Sequence, residues 1–129
     1  MKVKNIRKYL TEEQITERVK AMGEQISKDY CGETVYLICI LKGSVYFTCE
    51  LAKRITVPVT MDFMQCSSYG GDTKSSGIVR IVKDLDEPII DRNVIIIEDI
   101  IDSGRTLSHL KKLLAQRSPK SLKICTLLD

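Results

Sequence analysis

The stretch Val94-Ile95-Ile96-Ile97-Glu98-Asp99-Ile100-Ile101-Asp102-Ser103-Gly104-Arg105-Thr106 decides the fold. Four consecutive β-branched apolar residues, Val94 to Ile97, predict a strand buried on both faces. Glu98 and Asp99 end that strand in this reading, and Asp102 follows shortly after them. Ser103-Gly104-Arg105-Thr106 then opens a helix. A strand that stops at acids and turns through small residues into a helix suits an anion. The helix start offers free backbone N–H groups, and the loop can form a nest around phosphate oxygens. Asp102 stands beside that nest as a candidate proton carrier. Acids for ribose hydroxyls or Mg²⁺, amides for a phosphate and one carboxylate for a proton suit a phosphorylated sugar. The plain alternative is that Ser103 or Asp102 only caps the helix.

Two familiar nucleotide sites are excluded by pattern. The chain has no G-x-x-x-x-G-K-[ST] loop, so Val94–Asp99 does not read as a Walker B strand. It has no G-x-G-x-x-G either, so a dinucleotide site has no support. A response-regulator receiver places its acids in the first strand unit, whereas these lie late in the chain.

The sequence has 129 residues, enough for one domain with one core. Hydrophobic residues make up 43% and charged residues 29%, as in an ordinary globular protein. The net charge of +3 is too small to argue for nucleic acid, and Lys2, Lys4, Arg7 and Lys8 form only a mild basic cluster. No run of ~18 apolar residues predicts a membrane span, and MKVKNIRKYL has no apolar core fit for a secretory signal. The cysteines at 31, 39, 49, 66 and 125 are odd in number and form no C-x-x-C. They predict reduced thiols and a cytoplasmic location. With one histidine and no ligand spacing, zinc is not expected, and His109 reads as a structural or surface residue.

Thr11-Glu12-Glu13-Gln14 is a capping box, and Ile15, Val19, Met22 and Ile26 recur at helical spacing, which predicts a helix over 11–29 stopped at Gly32. Thr34–Leu41 reads as a buried strand, Lys42-Gly43-Ser44 as a turn and Val45–Arg54 as a second helix. Val57–Met64 reads as a strand, with Pro58 hinting at a sheet edge. Residues 65–77 are polar and Gly/Ser-rich and read as a flexible loop. Ile78–Val82 is a short returning strand. The motif strand Val94–Ile97, a helix over Gly104–Gln116 broken by Pro119, and a last strand Leu122–Leu128 complete the chain. Strands alternating with helices predict an α/β fold with a mostly parallel sheet. Ligands of such sheets bind beyond the carboxyl ends of the strands, where Lys42-Gly43, the 65–77 loop and Glu98–Thr106 can meet.

Two further segments follow strand ends. In Leu41-Lys42-Gly43-Ser44 the glycine lets the main chain approach a ligand, and Lys42 with the Gly43 amide could hold a diphosphate, although these residues taken alone favour an ordinary tight turn. Ser67-Ser68-Tyr69-Gly70-Gly71 is either a solvated loop or a lid that excludes water.

In order and spacing, LKGS, the Ser-Tyr loop and VIIIEDIIDSGRTL resemble the bacterial hypoxanthine-guanine phosphoribosyltransferases, members of the type I phosphoribosyltransferase family, over about Lys8 to Asp129. The resemblance implies a twisted, mostly parallel sheet flanked by helices, with a flexible lid loop at 65–77. It implies purine salvage: transfer of the 5-phosphoribosyl group from phosphoribosyl pyrophosphate (PRPP) to hypoxanthine or guanine, giving IMP or GMP plus diphosphate. Lys42 and Gly43 match the diphosphate site, with a cis bond between Leu41 and Lys42. Glu98 and Asp99 match the acids that bind the ribose hydroxyls and Mg²⁺, the implied cofactor. Asp102 matches the catalytic proton acceptor near purine N7. Asp102, Ser103, Gly104, Arg105 and Thr106 match the 5′-phosphate loop, and Ser68 and Tyr69 the lid dipeptide. A homo-oligomer, dimer or tetramer, is implied as well, with no membrane or nucleic-acid partner. The family continues for ~50 residues more, on the scale of ordinary domain sizes. That part carries a purine-reading lysine directly after Asp129, a stacking aromatic, and acid and arginine residues for Mg²⁺ and diphosphate. Residues 1–129 thus read as a single phosphoribosyltransferase-like domain without the purine-binding part. The other readings are a phosphoribosyltransferase for another base, such as xanthine or adenine, and a nucleotide-sensing, RNA-binding regulator on the same fold.

Overall fold

The computed structural model describes residues 11–68, 79–100 and 105–128. Helix α1 spans Glu12–Asp29 and starts at the expected capping box. The Gln14 amide donates to Thr11 Oγ1 at 3.1 Å, and the Thr11 amide donates to Gln14 Oε1 at 2.8 Å. Val19 and Ile26 are buried with Ile15 and Met22 packed beside them, so the periodic face is the one that meets the core. Tyr30 caps the helix, and Gly32 follows at φ +82°, a conformation costly for L side chains. Gly23 sits in mid-helix, where glycine costs about 1 kcal/mol against alanine. Its reason is packing, since a Cβ there would lie 2.8 Å from the Arg54 carbonyl oxygen.

Strand β1 (Val35–Ile40) leads to α2 (Val45–Ala52), β2 (Val59–Ser68), β3 (Val79–Lys83), β4 (Asn93–Ile100), α3 (Arg105–Ala115) and β5 (Ser121–Leu128). The sheet order is β3-β2-β1-β4-β5. β1 runs parallel to β2 and β4, and β4 runs parallel to β5; β3 alone is antiparallel, on β2. The mostly parallel α/β sheet expected from the sequence is therefore present. Val35 to Cys39 are at most 1% exposed, as a central strand covered on both faces requires. Val35, Leu37, Ile95 and Ile97 join α1 and α2 in one core, while Tyr36, Ile38, Val94 and Ile96 join α3 in the other.

Two boundaries differ from the sequence reading. β4 runs through Ile100, so Glu98 and Asp99 lie within the strand rather than after it. Pairing with β5 continues past them, Glu98 with Thr126 and Ile100 with Leu128, and backbone ladders do not depend on side-chain charge. The 65–77 loop begins later than expected, because Gln65 to Ser68 pair with β3 despite their polarity. The remainder of that lid loop, Tyr69 included, lies outside the described residues. The edge that Pro58 hinted at is found for the part of β2 read as a strand, since Val59–Met64 pair with β1 alone and β3 joins only at Gln65–Ser68. Pro58 precedes the first paired residue, where a missing N–H removes no ladder bond, and its carbonyl accepts from the Val35 amide at 3.0 Å.

The amino edge of the sheet is sealed by polar contacts. Buried Asn93 donates to Glu33 Oε1 at 2.9 Å and accepts from Ser121 Oγ at 3.0 Å. The Asn93 bond and Lys120 hold the Glu33 carboxyl below its ordinary range. The carboxyl edge is where the connections diverge. From β1 the chain passes over one face through α2, and from neighbouring β4 it passes over the other through α3. Adjacent parallel strands whose crossovers leave in opposite directions open a crevice between their carboxyl ends. Among the described residues, no helix is long and apolar enough to cross a membrane.

Candidate active site

Both described parts of the proposed site open onto the crevice between β1 and β4. On the β1 side, the Leu41 amide donates to the Met64 carbonyl at 2.9 Å, which keeps it within the sheet. The Leu41–Lys42 bond that follows is cis, as the family resemblance implied. The Lys42 carbonyl accepts from the Val45 amide at 3.2 Å, so the turn flows directly into α2. Lys42 and Gly43 are exposed at the rim, and Ser44 beneath them is fully buried.

On the β4 side, successive strand residues point to opposite faces. Ile95 and Ile97 belong to the α1/α2 core and Ile96 to the α3 core. Asp99 therefore follows Ile97 toward α2, and Glu98 follows Ile96 toward α3. Contacts agree with this alternation. A Cβ on Gly43 would stand 3.4 Å from Asp99 Oδ2 and 3.5 Å from Oδ1, so the Gly43 backbone lies against the Asp99 carboxylate. On the other side, Cys66 packs with Ile96 against the α3 core. Burial first, then the charges of Asp84 and Glu98, push the thiol of Cys66 up. Glu98 Oε1 also accepts from the Asp99 amide at 3.1 Å. The paired acids thus address two sides of one strand end, which their adjacency in sequence did not indicate.

Gly43 does not use the backbone freedom that the sequence reading gave it. Among the described residues Gly32 is the glycine with positive φ. The use of Gly43 is close approach, since it leaves open the space in front of Asp99. Arg105 and Thr106 form the first turn of α3. Asp102, Ser103 and Gly104, the core of the expected phosphate loop and proton acceptor, lie outside the described residues, as does Tyr69. Ser68 closes β2, four residues past the level at which Met64 pairs with Ile40. At ~3.3 Å per residue this puts it about 13 Å beyond that pair. His109 is half-buried in α3 between Leu107 and Leu110, in keeping with a structural role. All five cysteines are free.

A divalent cation fits this donor set only in a particular way. Among the described residues no group of three or more His, Cys, Asp or Glu side chains is placed to hold a metal unaided. Mg²⁺ is commonly bound by one or two carboxylates together with substrate phosphates and water. Glu98 and Asp99, hard oxygen donors at the rim of an open crevice, suit an ion that arrives with a phosphorylated ligand.

The sequence reading passed over a buried polar cluster away from this rim. The Tyr36 hydroxyl donates to Asp62 Oδ2, the amide of Asp86 donates to the same oxygen at 2.9 Å, and that of Phe63 donates to Oδ1 at 2.7 Å. Arg92 lies over the Tyr36 ring, 4.6 Å from its centroid. The signal in the sequence was a lone aspartate inside the apolar run Val59-Thr60-Met61-Asp62-Phe63-Met64, which only a satisfied carboxylate can occupy.

Comparison with known proteins agrees with this architecture. Residues 6–129 match the family model for the phosphoribosyl transferase domain. The chain is 51% identical over 125 residues to a hypoxanthine-guanine phosphoribosyltransferase of Mycobacterium bovis, covering 92% of this chain and 62% of the relative. It is 50% identical over 127 residues to one of Streptococcus thermophilus, covering 98% of this chain and 71% of the relative. The crystal structure of a hypoxanthine-guanine phosphoribosyltransferase from Bacillus anthracis superimposes with a TM-score of 0.87 at 46% identity, over 91% of this chain and 69% of that one. The chain thus spans between about three-fifths and seven-tenths of the length of these relatives. With its sheet order, its β1/β4 crevice and this identity over nearly its whole length, the chain belongs to the phosphoribosyl transferase family, among the hypoxanthine-guanine phosphoribosyltransferases.

Proposed function

We propose that the protein carries out purine salvage, transferring the 5-phosphoribosyl group of PRPP to hypoxanthine or guanine with release of diphosphate. The observation that carries this reading is the Gly43 backbone set against the Asp99 carboxylate across the β1/β4 crevice. A main chain without a Cβ, an exposed Lys42 and an acid in one opening suit a ligand that bears both phosphate and sugar hydroxyls.

In this reading Lys42 and the Gly43 amide hold the diphosphate and offset the negative charge that grows on it as the C1′–O bond breaks. Asp99 and Glu98 accept from the ribose hydroxyls and would hold Mg²⁺. Bound there with PRPP, Mg²⁺ would supply positive charge against the departing diphosphate. The amides and side chains of the segment Asp102 to Thr106, which leads in sequence into α3, fix the 5′-phosphate. As N9 of the base bonds to C1′, the proton on N7 becomes acidic, and Asp102 takes it. Ser68 and Tyr69 belong to a lid that keeps bulk water from the reacting carbon. The protein works in the cytoplasm as a homo-oligomer.

The test is formation of IMP and GMP from PRPP by the full-length protein, with xanthine and adenine as competing bases. Turnover of hypoxanthine or guanine at least ~100-fold above the other two is the expected result, a ratio within reach of a site built on polar contacts. No nucleotide product with any base, in the presence of Mg²⁺, would overturn the reading.

A further inference from the structure

Ser44 occupies the N-cap of α2 but does not cap it. A serine there ordinarily accepts a hydrogen bond from an amide in the first turn, yet Ser44 makes no such side-chain bond. Its hydroxyl turns the other way and donates to the carbonyl of Ile40, the last residue of β1. The side chain is fully buried, with Cys39 Sγ 3.7 Å from its oxygen. The Ser44 carbonyl is engaged too, accepting from Thr48 Oγ1 at 2.7 Å and from the Thr48 amide at 2.9 Å. The turn that presents Lys42 and Gly43 is therefore closed across its base by one buried hydroxyl and anchored into α2 by the next.

We infer that Ser44 is a positioning residue for the diphosphate site. Its hydroxyl holds the Lys42–Gly43 turn to the end of β1 and so sets the Gly43 amide against Asp99. This rests on the diphosphate reading of Lys42 and Gly43 given above. Giving up the helix cap in favour of a bond to the preceding strand makes sense if the placement of the turn matters more than the stability of a two-turn helix.

The experiment is calorimetric titration of the full-length protein with diphosphate and with PRPP, in Mg²⁺, for wild type, Ser44→Ala and Tyr36→Phe. Tyr36→Phe deletes another buried hydroxyl, near the opposite end of β1, and serves as the purely structural control. Ser44→Ala is expected to bind both ligands about 3- to 10-fold more weakly, the equivalent of one hydrogen bond. Tyr36→Phe is expected to lower the melting temperature and leave both affinities unchanged. In steady state the KM for PRPP should rise by the same factor in Ser44→Ala, with the KM for hypoxanthine within about twofold of wild type. If Ser44→Ala does not fold, Ser44→Cys keeps the side-chain volume and replaces the hydroxyl by a weak donor. Wild-type affinity in the Ser44 variant overturns the inference, and so does an equal loss in Tyr36→Phe. Failure of the wild type to bind either ligand instead defeats the diphosphate reading, and the inference falls with it.

Discussion

Gly43→Ala should separate the stability of this fold from ligand binding at its crevice. The new methyl carbon would meet the Asp99 carboxylate oxygens at 3.4 and 3.5 Å, which is ordinary van der Waals contact. Gly43 is not among the residues with positive φ, so an L side chain is accepted without backbone strain. Replacing glycine at such a position stabilises a protein by about 0.4–1 kcal/mol through the unfolded chain. For a chain of this size that corresponds to a rise of roughly 2–5 °C in Tm. Binding should move the other way. The methyl fills the space between the Gly43 main chain and Asp99, where a diphosphate must come within hydrogen-bonding range of the Gly43 amide. Losing one hydrogen bond to a charged group costs about 1.5–3 kcal/mol, or roughly 10- to 150-fold in affinity. Differential scanning calorimetry and diphosphate titration in Mg²⁺ on the same samples measure both quantities. Unchanged diphosphate affinity would refute the placement of the ligand. A fall in Tm of more than ~5 °C would refute the claim that the turn accepts a side chain.

Three other outcomes follow from the same residues. Gly23→Ala gains about 1 kcal/mol of helix propensity. It also places a Cβ 2.8 Å from the Arg54 carbonyl oxygen, so thermal or urea unfolding should show a net loss of stability, where a free surface glycine would gain. Burial alone would raise the Asp62 carboxyl, but bonds from Tyr36 and from the amides of Phe63, Asp86 and Glu87 outweigh it and hold it low. The stabilisation it contributes is therefore complete above the unfolded carboxylate value near ~4 and lost as pH falls through the lower folded value. Asp62→Asn should flatten the acid limb of the Tm–pH curve, and an unaltered limb would place the linkage elsewhere. Asp102→Asn should lower kcat for IMP formation by ~10²–10⁴-fold and change PRPP affinity little. Near wild-type kcat, with chemistry rate-limiting, would leave Asp102 as a helix cap.

The elements with strong local signals were legible from the residues alone. α1 announced itself through the Thr11/Gln14 box and the spacing of Val19 and Ile26, because capping bonds and a helical face are properties of a short window. Val94–Ile97 did so through continuous β-branched burial, and the alternation of helix and strand predicted the parallel sheet. The sequence also nominated Lys42, Gly43, Glu98 and Asp99 as residues of one carboxyl edge. Only the tertiary structure decided how those residues meet. Pairing with β5 keeps Glu98 and Asp99 in the strand, and strand alternation then sends their carboxylates to opposite faces. Pairing with β3 carries the polar residues Gln65 to Ser68 into β2. Whether Gly43 is a turn residue or a gap in front of Asp99, and whether Ser44 caps a helix or closes a turn, depends on partners distant in sequence or on the direction a hydroxyl takes. The approach of Gly43 to Asp99 forms only once β1 and β4 lie side by side, and the Ser44 bond to Ile40, although only four residues long, forms only once the turn between them has taken its tertiary shape.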